Sequence, residues 1–424
     1  MKVKAIIIAM GLAALASTSA YAASIGEGAI VEQYGNSNTA NVMQTASSYD
    51  RVKVQQNGDG STATVTSSYG GGNVTDILQN AGGTGASKLS ATLTQQQAIG
   101  EKTTITQTGT NSTASVTQTA SSFDKDTVTQ SGKNDSATIN RTGSSWNTVN
   151  IDQGTGKTAG VSNGATATVT QTTTVGNRVD ILQGNENGIA TVTQTNGGNN
   201  AARIEQRGDH NDGKIEQISE IGDNVSIKQA DFARAQVHSE NGSGNVTTID
   251  QSGAGAPHYA QVTQGNATNE TTTILQSGSA YNTAYVDQYR EANDRTYIVQ
   301  AGDRNTAAVH QTDGGSNVAV AVQAGSNNKM DLTQQGAVES TLLAGQGGTF
   351  NEAKGKQSGS HEELALAQVG YLNSADATQA GAYNTASIVQ VGSANYGYVN
   401  QAGIGNAAAI TQGGSLNKAV VVQK

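Results

Sequence analysis

Glutamine returns at a nearly fixed pitch along almost the whole chain. Gln357, Gln368, Gln379, Gln390, Gln401, Gln412 and Gln423 each stand 11 residues after the last. From Gln276 through Gln288, Gln300, Gln311, Gln323 and Gln334 the steps mix 11 and 12 residues. The same mixture links Gln171, Gln183, Gln194, Gln206, Gln217 and Gln229, and earlier Gln107, Gln118 and Gln130. A unit this short cannot bury an apolar face alone. A chain built from it must stack its units so that each covers the next.

Counting back from each Gln gives the content of one arm: Asn at minus six, a small residue at minus four, Val or Ile at minus two. Asn384, Ala386, Ile388 and Gln390 form one instance; Asn305, Ala307, Val309 and Gln311 another. Asn282, Ala284, Val286 and Gln288 repeat it, as do Asn417, Ala419, Val421 and Gln423. Even spacing places all four on one face of a strand. The residues between them, mostly Thr, Ser, Lys or Asp, face outward. After the Gln comes x-Gly, as in Gln379-Ala380-Gly381, which predicts a tight turn. The extra residue of a 12-residue step falls in that turn and leaves strand parity intact.

The spacing therefore predicts an all-β chain, a β-solenoid with two short strands per rung of about 22–23 residues stacked as cross-β. An unpaired buried amide costs on the order of 1–3 kcal/mol, so inward Asn and Gln must bond to their counterparts along the stack. The residues expected to carry that ladder, and self-assembly through it, include Gln33, Gln44, Asn282, Gln288, Asn305, Gln311, Asn384, Gln390, Gln401, Gln412, Asn417 and Gln423.

Composition supports regular backbone pairing over a bulky core. Aromatic residues make up 4% of the chain, Pro occurs once and Cys never, so neither large side chains nor disulfides supply the rigidity. Disorder is the competing reading of so polar a sequence, but the charged share is only 13% and the β-branched residues keep their places. A net charge of −9 provides no basic stripe for nucleic acid.

Lys2 and Lys4, the apolar run Ala5–Leu15 and the small-x-small triplet Ala20-Tyr21-Ala22 read as an export signal over residues 1–22. That run is too short to span a membrane, and no other stretch qualifies as a transmembrane segment. Residues 23–424 are expected to form one repetitive domain.

Some arms depart from the pattern. Ser67, Arg141, Ser239 and Gly345 stand where Gln is expected, and insertions around Gly82–Ser87 and Gly154–Val161 are expected to bulge outward. The only proline, Pro257, falls in another lengthened turn, as its missing N–H requires.

The arm Gln379-Ala-Gly381-Ala-Tyr-Asn384-Thr-Ala386-Ser-Ile-Val-Gln390 resembles the curlin repeat of bacterial curli, and degenerate copies recur from Gln33 to Gln423. The resemblance implies an extracellular amyloid fibre subunit at the cell surface, supporting adhesion and biofilm matrix. It also implies that the partners are copies of itself and related fibre subunits, and that outer-membrane secretion machinery exports it.

Nothing in the sequence suggests catalysis. His210, His238, His258, His310 and His361 are scattered without metal-ligand spacing, so no catalytic, cofactor-binding or metal residue is expected. Asp and Glu residues are expected on the outer face or in turns. An aromatic precedes the strand-opening Asn or Asp at Tyr49, Phe123, Trp146, Tyr281, Phe350 and Tyr383, and would either shield the turn or form a contact row. The final arm, Asn417 to Gln423, is expected to present an open strand edge for end-to-end growth against the arms near Gln33 and Gln44. The alternative is a monomeric β-solenoid adhesin that binds a carbohydrate or another surface.

Overall fold

The computed structural model describes residues 5–8, 18–22, 26–80, 88–154, 163–184, 186–251 and 257–424. Every regular element among them is a β-strand. The inserted segments 82–87 and 155–161 lie outside the described residues, as does most of the expected export signal. Its described parts, Ala5–Ile8 and Thr18–Ala22, run as strands paired to Gly28–Tyr34 and Thr39–Thr45.

The chain divides into two compact units, Met1–Ser219 and Glu220–Lys424. Each is a β-solenoid in which successive strands alternate between two parallel sheets. In the first unit, one sheet runs from Gly28–Tyr34 through Arg51–Asn57, Val74–Asn80 and Lys102–Gln107 onward. The facing sheet holds Thr39–Thr45, Thr62–Ser68, Ser90–Gln96 and their successors. In the second unit, Thr271–Ala280, Arg295–Asp303, Val318–Ser326, Thr341–Thr349, Glu363–Tyr371, Thr385–Ser393 and Ala407–Ser415 are consecutive strands of what we call its first sheet. Its second sheet includes Thr283–Tyr289, Thr306–Thr312, Lys329–Gln335, Glu352–Ser360, Ser374–Ala382, Tyr396–Ile404 and Lys418–Gln423.

Register follows the repeat. Gln357, Gln379, Gln401 and Gln423 sit directly one above the next, as do Gln368, Gln390 and Gln412. A slip of one residue would turn every inward side chain outward, so burial of one face locks the pairing. The inward set is the one the spacing predicts: Asn384, Ala386, Ile388 and Gln390 are at most 1% exposed. Lengthened turns leave this register undisturbed, for Gln153 still pairs with Gln183 across 30 residues.

Two features differ from the sequence reading. Gln346, not Gly345, stands in register with Gln323 and Gln368, so the ladder is unbroken there and Gly345 points outward. And the outward residues are not everywhere polar: in the second unit's first sheet they include Val320, Val322 and Leu343.

The turns owe their shape to a left-handed residue just before the strand-opening position. It is Tyr49 (φ 60°), Asn134 (56°) and Trp146 (59°) in the first unit, and Tyr281 (54°), Phe350 (55°) and Leu416 (59°) in the second. Bulky residues accept this conformation because the stacked rung above and below fixes the backbone around them. Twelve-residue steps add a second such residue two places after the Gln, for example Ala46 (51°) and Asn196 (52°).

In the compact 11-residue steps at the end of the chain that place belongs to Gly. A Cβ on Gly392 (φ 121°) would lie 1.9 Å from the carbonyl oxygen of Gly414 on the next rung. Beside it, Gly413 has no left-handed φ and nothing within 4 Å of where a Cβ would be. Gly392→Ala should therefore lower stability by about 1–3 kcal/mol while Gly413→Ala changes it little, read as shifts in denaturation midpoint.

Candidate assembly ladders

Along the ladders of the second unit each inward Gln is bonded at both ends of its carboxamide. In the second unit's first sheet, Gln276 donates through Nε2 to Gln300 Oε1 at 2.8 Å, and Gln300 to Gln323 at 2.9 Å. The chain of bonds continues through Gln346, Gln368 and Gln390 to Gln412. In the second sheet it passes from Gln264 through Gln288, Gln311, Gln334, Gln357, Gln379 and Gln401 to Gln423.

The second Nε2 hydrogen crosses the core. Gln300 donates to the carbonyl of Thr283, and Gln390 to that of Ser374, both at 2.9 Å; each acceptor opens a strand of the facing sheet. Gln401, Gln412 and Gln423 do the same with Thr385, Tyr396 and Ala407. One side chain thus ties rung to rung and sheet to sheet. The even spacing reveals the first bond; the second depends on how the facing sheet is placed.

The Asn ladder contains the expected side-chain stack, as where Asn328 Nδ2 donates to Asn305 Oδ1 at 3.2 Å and Asn417 Nδ2 to Asn395 Oδ1 at 2.9 Å, and it adds bonds to the backbone. The backbone N–H of Asn305 donates to Asn282 Oδ1 at 3.0 Å, while Asn305 Nδ2 donates to the carbonyls of Ala301 at 3.1 Å and Gly325 at 3.0 Å. Asn384 and Asn417 bond to their turns in the same way. Because the acceptor does most of the stacking, Asp can replace Asn: Asp50 Oδ1 accepts the N–H of Asn73, and Asp124 Oδ1 that of Asn147.

In the first unit, Gln33 donates to Gln56 at 2.6 Å and starts a ladder that runs through Gln79, Gln107, Gln130, Gln153 and Gln183 to Gln206. The facing ladder is broken twice. Ser67 stands between Gln44 and Gln95, leaving Gln44 Nε2 and Gln95 Oε1 buried without hydrogen-bond partners among the described residues. Ser67 itself turns to Asp50 Oδ2 at 2.6 Å.

At the second break Arg141 replaces Gln, and Gln171 Oε1 loses its donor. The Arg141 guanidinium is fully buried and paired with Asp124 at 3.0 Å and with Asp126. Gln118, which would have donated to a Gln at position 141, donates instead to Asp126 Oδ2 at 2.8 Å and Glu101 Oε2 at 3.1 Å. Burial pushes the Asp126 carboxyl up to about 6, against the downward pull of Arg141.

The buried carboxyls correct the expectation that acidic residues lie in solvent. Glu101, Asp124, Glu270 and Asp294 occupy the strand-opening position of Asn and are at most 1% exposed. Burial, reinforced by Asp124, pushes Glu101 to about 8; burial and neighbouring Asp294 do the same to Glu270. Burial also pushes Glu291 to about 9, helped by its hydrogen bond to Asp294. Their place in the repeat was readable from the sequence; their burial follows from that place.

The aromatic row sits at the left-handed turn position and is exposed: Tyr49 67%, Trp146 64% and Tyr383 61%. The rings lie against the turns. Phe123 stacks on Trp146 at 4.6 Å between centroids, and a Cβ on Gly100 would meet the Phe123 ring at 2.8 Å. Among the histidines, His258 takes a buried strand-opening position, where burial holds its imidazole below the usual range. His310 is raised by its bond to Asp287. Among the described residues no three His, Cys, Asp or Glu side chains are arranged to hold a metal ion.

Removing one partner of a buried ion pair costs about 3–5 kcal/mol, so Arg141→Gln alone should destabilise the first unit by that order. Adding Asp126→Thr, the residue that Thr103 supplies one rung earlier, should recover most of the loss in a denaturant titration. The carboxyls give a pH dependence. A glutamate whose folded pKa is raised stabilises fully below its unfolded value near 4.5, and that contribution is lost as pH rises to about 8. Thermal unfolding of Glu270→Gln should match the parent near pH 4.5 and exceed it at pH 8.5.

The curlin associated repeat matches the chain at residues 302–336 and 384–414. Those stretches contain Asn305, Gln311, Asn384, Gln390, Gln401 and Gln412 of the ladders just described. No curated protein matches the chain. Both matches fall on arms whose Asn and Gln residues stack in register, and they support a curlin-repeat assignment for those stretches.

Proposed function

We propose that the chain is a secreted, non-catalytic building block of an extracellular amyloid-type fibre that supports cell adhesion and biofilm matrix, and that its main partner is another copy of itself. One observation carries this reading. The Gln carboxamides bond in register from Gln276 to Gln412 on one sheet and from Gln264 to Gln423 on the other. A rung of this kind, such as that of the Gln412 and Gln423 arms, offers at the edge of a stack the donors, acceptors and apolar face that a further strand of the same repeat can meet.

The arms around Gln33 and Gln44 of an incoming copy fit that template, because they carry the same inward Ala, Val and Gln positions, with Glu27 in place of Asn in the first. Removal of residues 1–22 would bare their edges, to which Ala5–Ile8 and Thr18–Ala22 are paired. Growth then extends both Gln ladders across the junction, with no chemistry other than hydrogen bonding and burial.

Deleting residues 402–424 should slow fibre elongation by at least tenfold in a thioflavin-T time course, with electron microscopy of the product. Unaltered kinetics would remove this edge as the growth surface. A β-rich, dye-negative monomer, even after seeding, would favour a monomeric adhesin.

A further inference from the structure

The two outer faces of the second unit differ in chemistry. On the first sheet, the two outward columns farther along the strands contain no charged residue from Thr271–Ala280 to Ala407–Ser415. One passes through Tyr297, Val320 and Leu343, the other through Val299, Val322 and Val389. Leu275, Val322 and Leu343 are each 41% exposed. On the second sheet the same rungs carry Lys329, Asp331, Glu352, Lys354 and Asp376. The first sheet of the first unit is charged as well, through Lys53, Asp76, Lys102, Arg178 and Asp180. Charge on an outer face keeps stacked strands apart. The first unit's second sheet also lacks it from Thr39–Thr45 to Ile189–Thr195, but its outward columns there are mostly Thr, such as Thr64, Thr92 and Thr168, whereas the second unit's first sheet is both uncharged and apolar.

The face also has relief. Leu343 and Val322 form a ridge, while Gly345, Ala365 and Ala367 form a hollow beside it, one residue or one rung away. Nothing lies within 4 Å of a Cβ built on Gly345. A copy related by a two-fold axis would lay its ridge in that hollow, the self-complementarity an isologous contact requires. Seven strands about 4.8 Å apart and five residues wide give a footprint of about 500 Å² per copy. Two such faces cover about 1,000 Å² in all, the lower bound for a specific interface.

We infer that this outer face, centred on Val320, Leu343 and Gly345, is a lateral pairing surface for a second copy of the chain. In a fibre, as proposed above, it recurs with every subunit, so a contact weak in one pair of chains becomes strong along two filaments. Apolar sheets meeting at about 10 Å interdigitate without water.

The test compares the mature chain with Val320→Lys/Ala365→Lys, and with Thr333→Lys on the charged face as control. Parent fibres are expected as pairs or bundles in electron micrographs. The double variant should give single filaments with elongation rates within twofold of the parent, and the control should bundle as the parent does. Bundling by the double variant, or equal separation by the control, overturns the proposal. If none of the proteins forms fibres, the fibre reading fails and sedimentation of the soluble chains decides. A dimer in the parent and a monomer in the double variant supports pairing; the same state in both overturns it. The chain has no cysteine, so Ala367→Cys with a thiol cross-linker of about 10 Å supplies a reading that does not depend on the lysine variants folding. Dimer formation there, with none at Thr333→Cys, supports the face; equal yields overturn it.

Discussion

A carboxamide buried away from water must make its hydrogen bonds inside the protein, and the rest of this structure depends on meeting that demand. An unmet amide costs on the order of 1–3 kcal/mol, and each unit buries one in nearly every arm. Only an in-register parallel stack places an identical acceptor 4.8 Å above every donor. The ladder is therefore both a stabilising element and a specification: a slipped register would strand every Gln on its face. Ala, Val and Ile fill the thin space between the sheets, and the second Nε2 hydrogen joins one sheet to the other.

The breaks in the ladder show the same constraint. Ser67 is too short to reach its neighbours, and the amide ends of Gln44 and Gln95 are left without partners. Arg141 brings a buried charge, and Asp124 and Asp126 stand beside it. Buried Glu270 and Glu291 are the acidic versions of this accommodation, neutral over a wide range because burial disfavours their charge.

Much of this was legible in the sequence. The 11- and 12-residue Gln pitch, with Asn, Ala and Ile or Val at even offsets, determined strand parity, the inward set and the two-strand rung. The family resemblance rested on the same residues. Other features were not legible. The left-handed turn residue is Tyr, Phe, Trp, Asn or Leu as readily as Gly, because neighbouring rungs and not local propensity hold it. Asn also accepts the backbone N–H above it, which explains how Asp124 and Glu101 can take its place and become buried. Gly345 was read one residue out of register because a local count cannot place the extra residue of a 12-residue step, whereas the pairing of Gln346 with Gln323 does. The apolar outer face was hidden for a further reason: it emerges only when alternate arms are laid side by side.

Hydrogen exchange of the Gln side-chain amides, followed by NMR on the folded protein, reads whether buried carboxamide ladders hold the fold. Nε2 hydrogens of ladder residues such as Gln300, Gln311 and Gln379 are expected to stay protected for days. Those of exposed Gln96, Gln97 and Gln335 should exchange at solvent rates. Uniformly fast exchange of all glutamine side chains would contradict a fold held by buried carboxamide ladders.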